Sequence, residues 1–552
     1  METRSTPFFF RLLPSFTDIA FLMPIILLFC SGMGGMKYLL SDCDTGWHIR
    51  TGEWILANHR VPVGDVFSFS KPGQPWFAWE WLADVIWAWM NAHGGLRTVV
   101  LFTLCIFAFT FALLFRLLRR KSNPFVAVAV TMITSSAATI HWLARPHLFT
   151  LFFLVVFYGV LERVRDGKTH LGSIPYLAIL PAITIFWTNL HGGFFVGIML
   201  IGIYGVGELL SEWLRGTSTA DSRRASLRKA GQYFLSAFAC LVLSLINPYT
   251  WHLHEHIIKY LGDPYNSQHI FEFQSPSFHN LTSRFFEIML VLAALAVWRS
   301  LAKGSFTEPL LLAPWVHASF LAGRNIPIFA ILAAFPAAAV VQEGLEHLPE
   351  WNVAKWLRVF VKHLVRVGDE TAENDSIGRL HLVSALGVAL LVALIFAPNP
   401  PKKFRAEFDP SVYPQAALAT LRTDPNSKIF THDEWGDYLI WSLYPSHKVF
   451  VDGRSDFYGD DFEYKYIDIL NVHEGWEKYL TQFGVDTILM PPDAPLTGAL
   501  KESSHWRKVY DDGVALVFCQ TQKPGANSLL SLSTGGEVSR DREVTKTKTS
   551  DQ

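Results

Sequence analysis

The chain has 552 residues, of which 50% are hydrophobic, 14% aromatic and only 17% charged. Soluble domains carry about a quarter charged residues, so this composition favours a polytopic membrane protein over a soluble one. The formal net charge of -1 gives no basic excess of the kind that nucleic-acid-binding proteins carry, and no nucleic acid is expected as a partner.

Apolar runs predict about eleven membrane-spanning helices, each near the ~20 residues that a bilayer requires. The first is interpreted as an uncleaved helix rather than a signal peptide, because its hydrophobicity resumes through 36–40 and no small-residue cleavage site follows. A shorter Trp-rich segment, Trp81–Ala92, is expected to lie in the membrane interface. The predicted spans are residues 17–40, 97–116, 124–141, 147–162, 174–190, 194–212, 231–247, 284–299, 308–323, 325–342 and 380–398.

Basic residues concentrate in alternate loops, such as RLLRRK at 116–121 and RRASLRK at 223–229. The positive-inside rule puts these loops, and the N-terminus, in the cytoplasm. With an odd number of spans, the C-terminal domain then lies on the outer, periplasmic or extracellular side of a bacterial inner membrane. The ionisable and aromatic motifs all fall on that outer side, where polar groups near a membrane are costly unless they serve a function.

Composition also divides the chain into three parts. Residues 1–400 are predicted to form the transmembrane domain, with a first outer loop at 41–96. Residues 401–522 are predicted to form a soluble α/β domain, and 523–552 a disordered tail rich in Ser, Thr, Gly and charge. A disulfide between Cys43 and Cys519, both predicted on the outer side, is left open.

The first outer loop begins with SDCDTGWHIR, residues 41–50. Asp42 and Asp44 could bind a divalent cation such as Mg²⁺ or Mn²⁺ through their oxygens. Either could instead act as a general base on an acceptor hydroxyl. Capping of a helix that begins near Gly46 explains the two carboxylates equally well. His48 is expected to face the same cleft or simply solvent.

Glu80 lies among tryptophans in WFAWEW. A carboxylate in such apolar surroundings would have its pKa raised by desolvation, which suits a second acid/base or metal-binding group. The alternative is a rim carboxylate that points to water.

Two predicted outer helix mouths carry arginine, ARPH with Arg145 and His147, and GRNIP with Arg324. A guanidinium can bind two oxygens of a phosphate, so these three residues are candidates for an anion site. Lipid headgroup contact is the alternative.

NLHGG, residues 189–193, is a tight predicted outer connection. Its glycines let the backbone approach a ligand closely, or merely make the turn. Asn189 and His191 are candidate cleft-lining residues on the first interpretation.

These motifs together resemble the GT-C integral-membrane glycosyltransferases, and the resemblance covers most of residues 15–520. The pattern D-x-D-x-x-WH-x-x-x-GEWI, followed by VPVGDVFSFSKPGQPWFAWEWL, is similar to the first loop of a bacterial branch of that superfamily. ARPHLF, NLHGGFFVG, NPY and GRNIPIF are similar to its later landmarks. The implied fold is a polytopic α-helical membrane domain with a C-terminal soluble α/β domain.

The resemblance implies an inverting transfer of a sugar from a polyprenyl-phosphate-linked donor to a glycan, lipid or protein acceptor. Asp44 would be the first catalytic candidate, supported by Asp42, Glu80 and His48. The implied donor-phosphate ligands are Arg145, His147 and Arg324. The second-loop carboxylate pair of oligosaccharyltransferases has no match here, so a divalent cation on Asp42 and Asp44 stays open and no cofactor is assigned.

The C-terminal domain adds DEWGDYLIW (433–441) and VFVDGRSDFYG (449–459). The first is similar to the WWDYG acceptor-recognition element of oligosaccharyltransferase catalytic subunits, although the leading tryptophan pair is absent. Trp435, Asp437, Asp452 and Arg454 are therefore candidate acceptor-contacting residues. The alternative is a strand-and-turn element of the domain core in which Asp452 pairs with Arg454.

The resulting expectation is a membrane glycosyltransferase that acts at the outer face of the inner membrane, in contact with membrane lipid. A lipid-linked-glycan transporter would instead place ionisable groups at mid-membrane depth. A non-catalytic scaffold with a partner-binding outer domain would not need Asp42 or Asp44. The sugar, the acceptor and the oligomeric state stay open.

Overall fold

The computed structural model describes residues 8–215, 219–375 and 378–521. The predicted disordered tail, 523–552, lies outside the described residues. The chain divides into two compact units. The first comprises Met1–Asp65 and Gln74–Asp409, and the second comprises Val66–Gly73 and Pro410–Gln552. The segment Val66–Gly73 of the predicted first outer loop thus belongs to the C-terminal unit, which the sequence analysis did not foresee.

Each of the eleven predicted spans contains a helix. Two of these helices are apolar but short, Tyr176–Leu190 and Leu382–Ile395. Two others are not both long and apolar enough to cross a membrane, Ala220–Leu243 and Thr307–Leu321. The apolar helices support a membrane protein, although fewer than eleven have full spanning length. In the described part of the chain, the helices long and apolar enough to cross a membrane are these seven: Phe8–Cys30, Leu96–Leu118, Pro124–His141, His147–Arg165, Phe194–Trp213, Leu281–Ala302 and Gly323–Glu350.

The first predicted span, 17–40, is wrong as one continuous helix. The span Phe8–Cys30 consists of the short helix Phe8–Leu12 and the helix Phe16–Cys30, which is capped by Ser31. Only the short helix Met36–Leu39 follows. Gly35 between them has a φ of 77°, and a Cβ there would collide with the backbone of Lys403. Glycine alone tolerates both conditions, so the break is a property of this sequence.

Local capping explains where several helices begin. Ser15 and Asp18 form a capping box, in which the Ser15 hydroxyl accepts the Asp18 N–H and the Asp18 carboxylate accepts the Ser15 N–H at 2.8 Å. Asn123 accepts the N–H of Val126 at 3.1 Å, and Pro124 occupies the first helical position. Such caps fix the ends of helices whose interiors are uniformly apolar.

Two helices of the first loop pack closely against each other, Asp44–Asn58 and Trp81–Gly94. The second coincides with the helix predicted for Trp81–Ala92. Gly52 allows the approach, because a Cβ at this position would collide with the carbonyl oxygen of Asp84 and with Ala88. The contact brings the side chains of His48 and Asp84 together.

The remaining described elements of the first unit connect or flank these helices. They are the helices His252–Leu261, Pro264–His269 and Lys355–Asp375, the hairpin strands His170–Leu171 and Ile174–Pro175, and the 3₁₀ turns Ala138–His141, Phe271–Phe273, Gly323–Asn325, Leu348–Glu350 and Lys402–Phe404.

The C-terminal unit contains a small mixed sheet. Its strands, in spatial order, are Ile429–Phe430, Thr487–Met490, Leu516–Gln520 and Trp506–Asp511. The first pair is parallel and the other two pairs are antiparallel. The described helices of this unit are Leu418–Leu421, Asp433–Leu443, Ser455–Tyr458, Asp460–Leu470, Trp476–Phe483 and Pro495–Glu502.

The segment Val66–Gly73 pairs with this unit through backbone hydrogen bonds. Phe69 donates its N–H to the carbonyl of Val449 at 2.9 Å, and Val449 donates to the carbonyl of Phe67 at 3.0 Å. Phe67 is fully buried.

All five cysteines are free thiols, Cys43 and Cys519 included. The disulfide left open from the sequence is therefore not formed in the structure.

Candidate active site

The first-loop aspartates both bind the guanidinium of Arg145. Nη1 donates to Oδ2 of Asp42 at 2.7 Å, and Nη2 lies 2.7 Å from Oδ2 of Asp44. Oδ1 of Asp42 also accepts the backbone N–H of Asp44 at 2.9 Å, where the helix Asp44–Asn58 begins. This hydrogen bond forms a local turn ahead of the helix, whose N-cap residue is Cys43 without a side-chain cap, so the predicted capping of a helix beginning near Gly46 is wrong. An arginine far along the chain engages both carboxylates.

Glu272 links Arg145 to a second arginine. Its Oε2 lies 3.6 Å from Nη1 of Arg145, and its Oε1 lies 3.7 Å from Nη1 of Arg324. Arg324 lies over the ring of Phe273, with Cζ 4.3 Å from the centroid, and donates to the hydroxyl of Tyr260 at 3.3 Å. The arginine–carboxylate cluster, as we name it, consists of Asp42, Asp44, Arg145, Glu272 and Arg324.

The charges of this cluster stabilise one another away from bulk water. Burial alone would lower the pKa of Arg145, but Asp42, Asp44 and Glu272 outweigh it and hold that pKa above its ordinary value. Burial would likewise raise the pKa of Glu272, but the two arginines hold it well below its ordinary value. Arg145 and Glu272 therefore both stay charged at neutral pH.

His147 is connected to this cluster through His141. Its Nε2 donates to the carbonyl oxygen of His141 at 2.6 Å, and Nε2 of His141 lies 3.5 Å from Oε2 of Glu272. The two imidazoles meet edge to face, with centroids 4.9 Å apart. His147 thus supports the position of His141, and its predicted role as a phosphate ligand stays a prediction.

Four further ionisable residues form a connected row, which we name the histidine–carboxylate chain: Asp84, His48, Glu80 and His191. Nδ1 of His48 lies 2.6 Å from Oδ1 of Asp84, and its Nε2 lies 3.6 Å from Oε2 of Glu80. The other oxygen of Glu80, Oε1, lies 3.4 Å from Nε2 of His191. Glu80 is 8% exposed, so it is not the solvent-pointing rim carboxylate that the sequence left open.

Hydrogen bonds at Nδ1, the ring nitrogen that faces away from Glu80, define which nitrogen of neutral His191 carries the proton. Its Nδ1 accepts the backbone N–H of Gly193 at 2.9 Å and faces the Thr150 hydroxyl at 2.8 Å. That hydroxyl itself accepts the indole N–H of Trp187 at 3.0 Å, so its own proton is directed to Nδ1. Neutral His191 therefore carries its proton on Nε2, toward Glu80.

Glycine is required in this turn for steric reasons. A Cβ on Gly193 would collide with the Thr150 hydroxyl and come within 3.0 Å of Nδ1 of His191. Gly193 thus makes room for the hydrogen bonds that orient His191.

Burial governs the protonation of the histidine–carboxylate chain. Burial, and then the charges of Arg324 and Arg145, lowers the pKa of His191 to about 3. Burial lowers the pKa of His48 and raises that of Asp84. Burial thus disfavours the charged form of both partners of the His48–Asp84 hydrogen bond.

Asn189 connects the first-loop helix Trp81–Gly94 to the backbone of two other segments through hydrogen bonds. Its Oδ1 accepts the indole N–H of Trp81 at 2.7 Å, and its Nδ2 donates to the carbonyls of Ile185 and Ile246 at 2.7 and 2.8 Å. Asn189 is buried and its amide is fully hydrogen-bonded, which favours a structural role, and its predicted cleft-lining role stays a prediction.

A divalent cation does not fit between Asp42 and Asp44 as they stand. Mg²⁺ requires oxygens at about 2.1 Å in octahedral geometry, and Ca²⁺ at about 2.4 Å. One oxygen of each aspartate is already bound by Arg145 at 2.7 Å. Over the described ranges, no three acidic or histidine ligands of this cluster converge on one point.

Solved structures of an archaeal oligosaccharyltransferase from Archaeoglobus fulgidus share this architecture. One was crystallised with a tethered acceptor peptide containing the NVT sequon; it is 12% identical, with a TM-score of 0.52, over 92% of this chain and 74% of that one. The enzyme, AglB, in complex with an inhibitory peptide and a dolichol-phosphate matches with a TM-score of 0.53 and the same identity and coverage. A third structure, with Zn and sulfate, has a TM-score of 0.51 at 12% identity, covering 92% of this chain and 73% of that chain.

The chain has a GT-C-like fold. At 12% identity the likeness is one of fold alone. It agrees with the resemblance inferred from the first-loop motifs. No protein-family model matches the sequence, and no curated protein does so either.

The GT-C-like fold does not expose the four candidate acceptor residues of the C-terminal unit. Each is at most 3% exposed: Trp435, Asp437, Asp452 and Arg454. Trp435 donates its indole N–H to the carbonyl of Val412 at 3.1 Å, and Asp437 accepts the N–H of Gly453 at 3.0 Å. Burial favours a structural role for them, and an acceptor contact stays only a prediction.

The sequence left open that residues 433–459 form a strand-and-turn element of the domain core with an Asp452–Arg454 ion pair. This alternative is partly right. Arg454 donates from Nε and Nη2 to the two oxygens of Asp452, both at 2.7 Å, and Tyr458 donates to Asp452 at 2.8 Å. The predicted ion pair is present. However, DEWGDYLIW lies in the helix Asp433–Leu443 rather than in a strand and turn.

Two residues of the site were missed from the sequence. Asp84 follows Glu80 by four residues, a spacing that places both on one helical face and could have been noticed. Glu272 stands alone between two phenylalanines in IFEFQ. Since no local pattern marks Glu272, only the folded chain links it to Arg145 and Arg324.

Proposed function

We propose that this protein is a membrane glycosyltransferase. It moves a sugar from a polyprenyl-phosphate-linked donor to an acceptor at the outer face of a bacterial inner membrane. The N-terminus is cytoplasmic and the C-terminal unit lies outside, as the loop charges predict.

One observation carries the proposal. In a chain with a GT-C-like fold, two first-loop carboxylates and two arginines from separate helix connections form a single ionic cluster. Sugar transfer from a lipid phosphate needs an acceptor for the nucleophile's proton and positive charge for the leaving phosphate. The arginine–carboxylate cluster supplies both kinds of group within a few ångströms.

Asp42 is our candidate for the proton acceptor. Its side chain is 29% exposed, whereas that of Asp44 is 11% exposed. The sequence alone put Asp44 first, but the more exposed carboxylate is the better placed to meet an acceptor. Asp44 then serves chiefly to fix Arg145.

Arg324 is our candidate for binding the donor phosphate. Its hydrogen bond and its ion pair with described residues both use Nη1. Nε and Nη2 are thus available to two phosphate oxygens, the geometry that guanidinium binds best. Arg145 adds positive charge close by, while His147 takes no direct part.

The reaction is a single displacement. The acceptor hydroxyl or amide attacks the anomeric carbon, a new bond to that carbon forms, and the bond to the phosphate oxygen breaks. The electron pair leaves with the phosphate, held by Arg324, and the acceptor's proton passes to Asp42. One base and no covalent intermediate give inversion.

The histidine–carboxylate chain positions Glu80 beside this site. Neutral His191 and His48 flank its two oxygens. We assign Glu80 a contact to the sugar hydroxyls, because a buried carboxylate with oriented lone pairs is a strong acceptor. His48 keeps it in place.

Deletion of the gene in the source organism tests this function. Envelope glycans and the pool of polyprenyl-linked sugars are measured by mass spectrometry in the parent, the deletion strain and the complemented strain. A transferase predicts that one glycan species is lost while its lipid-linked precursor accumulates, with both reversed by complementation. Unchanged glycan and precursor profiles would refute it.

A further inference from the structure

Arg145 lies between three carboxylates and forms an ion pair with each of them. Its Nη1 contacts Asp42 and Glu272, and its Nη2 contacts Asp44. Two of the acids, Asp42 and Asp44, come from the start of the first loop, and the third, Glu272, comes from the distant turn Phe271–Phe273. Convergence of three negative charges is costly unless a positive charge compensates them.

The arginines provide most of that compensation. Arg145 and Arg324 carry two positive charges against the three negative charges of the cluster. A guanidinium cannot be deprotonated near neutral pH, and its planar fork binds carboxylates with two nitrogens at once. The cluster therefore holds a fixed cation that is part of the chain.

We propose that Arg145 replaces a divalent cation, so that this protein works without a metal ion at Asp42 and Asp44. The carboxylates position Arg145, and Arg145 with Arg324 balances the charge that develops on the leaving phosphate. The catalytic part of this proposal rests on the proposed function. Its metal-binding part does not.

The metal-binding part is tested by Mn²⁺ titration of the purified full-length protein in detergent, read by electron paramagnetic resonance after treatment with a chelator. Wild-type protein should bind no Mn²⁺ that depends on Asp42 and Asp44. Arg145→Met vacates the space among the three carboxylates and should gain one Mn²⁺ per chain. Arg145→Lys keeps a positive charge there and should gain none.

Two controls make the result specific. Adding Asp42→Asn and Asp44→Asn to Arg145→Met should abolish the gained Mn²⁺. If Arg145→Met does not accumulate as a folded protein, wild type is compared directly with the Asp42→Asn, Asp44→Asn variant. Mn²⁺ bound by wild type and lost in that variant overturns the proposal, whereas equal binding by the two supports it.

The catalytic part is tested in membranes that make the glycan product. Product formation should continue in EDTA at the rate measured without it. Loss of product in EDTA with recovery on Mg²⁺ or Mn²⁺ would overturn the catalytic part. If instead no glycan product depends on the protein at all, the proposed function fails, and the Mn²⁺ titration still decides whether Arg145 fills a cation site.

Discussion

Nδ1 of His48 lies 2.6 Å from Oδ1 of Asp84, with both side chains 1% exposed. They belong to two helices, Asp44–Asn58 and Trp81–Gly94, that come together at Gly52. The close approach of these helices is therefore what places His48 beside Asp84 and, through His48, orients Glu80.

Gly52→Ala should push the two helices apart. The added Cβ meets the carbonyl of Asp84, and overpacking of this kind costs about 1–3 kcal/mol. We expect a lower apparent midpoint of thermal unfolding in detergent. Gly231→Ala is the matched control, since Gly231 is also helical and a Cβ there meets nothing within 4 Å. Equal midpoints for the two variants would contradict the packing argument.

His191 should make stability depend on pH. The unfolded chain takes up its proton near pH 6.5, whereas burial first, and then the arginines, lowers the pKa of the folded state to about 3. The unfolded state thus binds more protons in this window. Stability should be greatest above about pH 6.5 and fall on acidification, by up to about 1.4 kcal/mol per pH unit for this one group.

The measurement compares unfolding midpoints at about pH 7.5 and about pH 5. His191→Gln should narrow the difference between them, even though it lowers both midpoints by removing hydrogen bonds. His505→Gln, at an exposed histidine of the C-terminal unit, should leave the difference as in wild type. An undiminished difference in His191→Gln would show that His191 is not held neutral.

Removal of Arg454 alone should destabilise the C-terminal unit. Arg454→Met leaves Asp452 as a buried carboxylate without its ionic partner, and breaking such a pair costs about 3–5 kcal/mol. The double variant Asp452→Asn, Arg454→Met should be more stable than Arg454→Met, because no buried charge is left unpaired. Unfolding midpoints of the full-length variants test the order.

The same double variant distinguishes a structural role of Asp452 and Arg454 from a role in acceptor recognition. A structural ion pair predicts that the folded double variant restores the glycan of the deletion strain. A folded, membrane-abundant double variant that restores nothing would return Asp452 and Arg454 to the acceptor-contacting role suggested by the sequence.

The sequence was informative wherever a local pattern carries the structure. Apolar runs predicted the positions of the helices, and the ionisable motifs of the loops contained Asp42, Arg145 and Arg324. Span lengths were less predictable, because glycines at 32, 34 and 35 end the first helix early. Ala220–Leu243 also extends into a basic stretch that hydropathy does not mark as helix.

Contacts between distant segments could not be predicted in this way. From the sequence alone, Arg145 was interpreted as a phosphate ligand. Nothing in the neighbouring sequence indicates that three acids surround it. Glu272 and the membership of Val66–Gly73 in the C-terminal unit are of the same kind. Buried ion pairs depend on tertiary proximity, and periodicity carries no information about it.

Asp42→Asn in the deletion strain tests the central claim most directly. Asp166→Asn is its matched control, because Asp166 is also bound by an arginine at 2.7 Å and is 32% exposed, but lies outside the candidate site. With both variants at wild-type abundance in the membrane, the missing glycan should return with Asp166→Asn and not with Asp42→Asn. Full restoration of the glycan by Asp42→Asn would contradict the assignment of this carboxylate and of the site built around it.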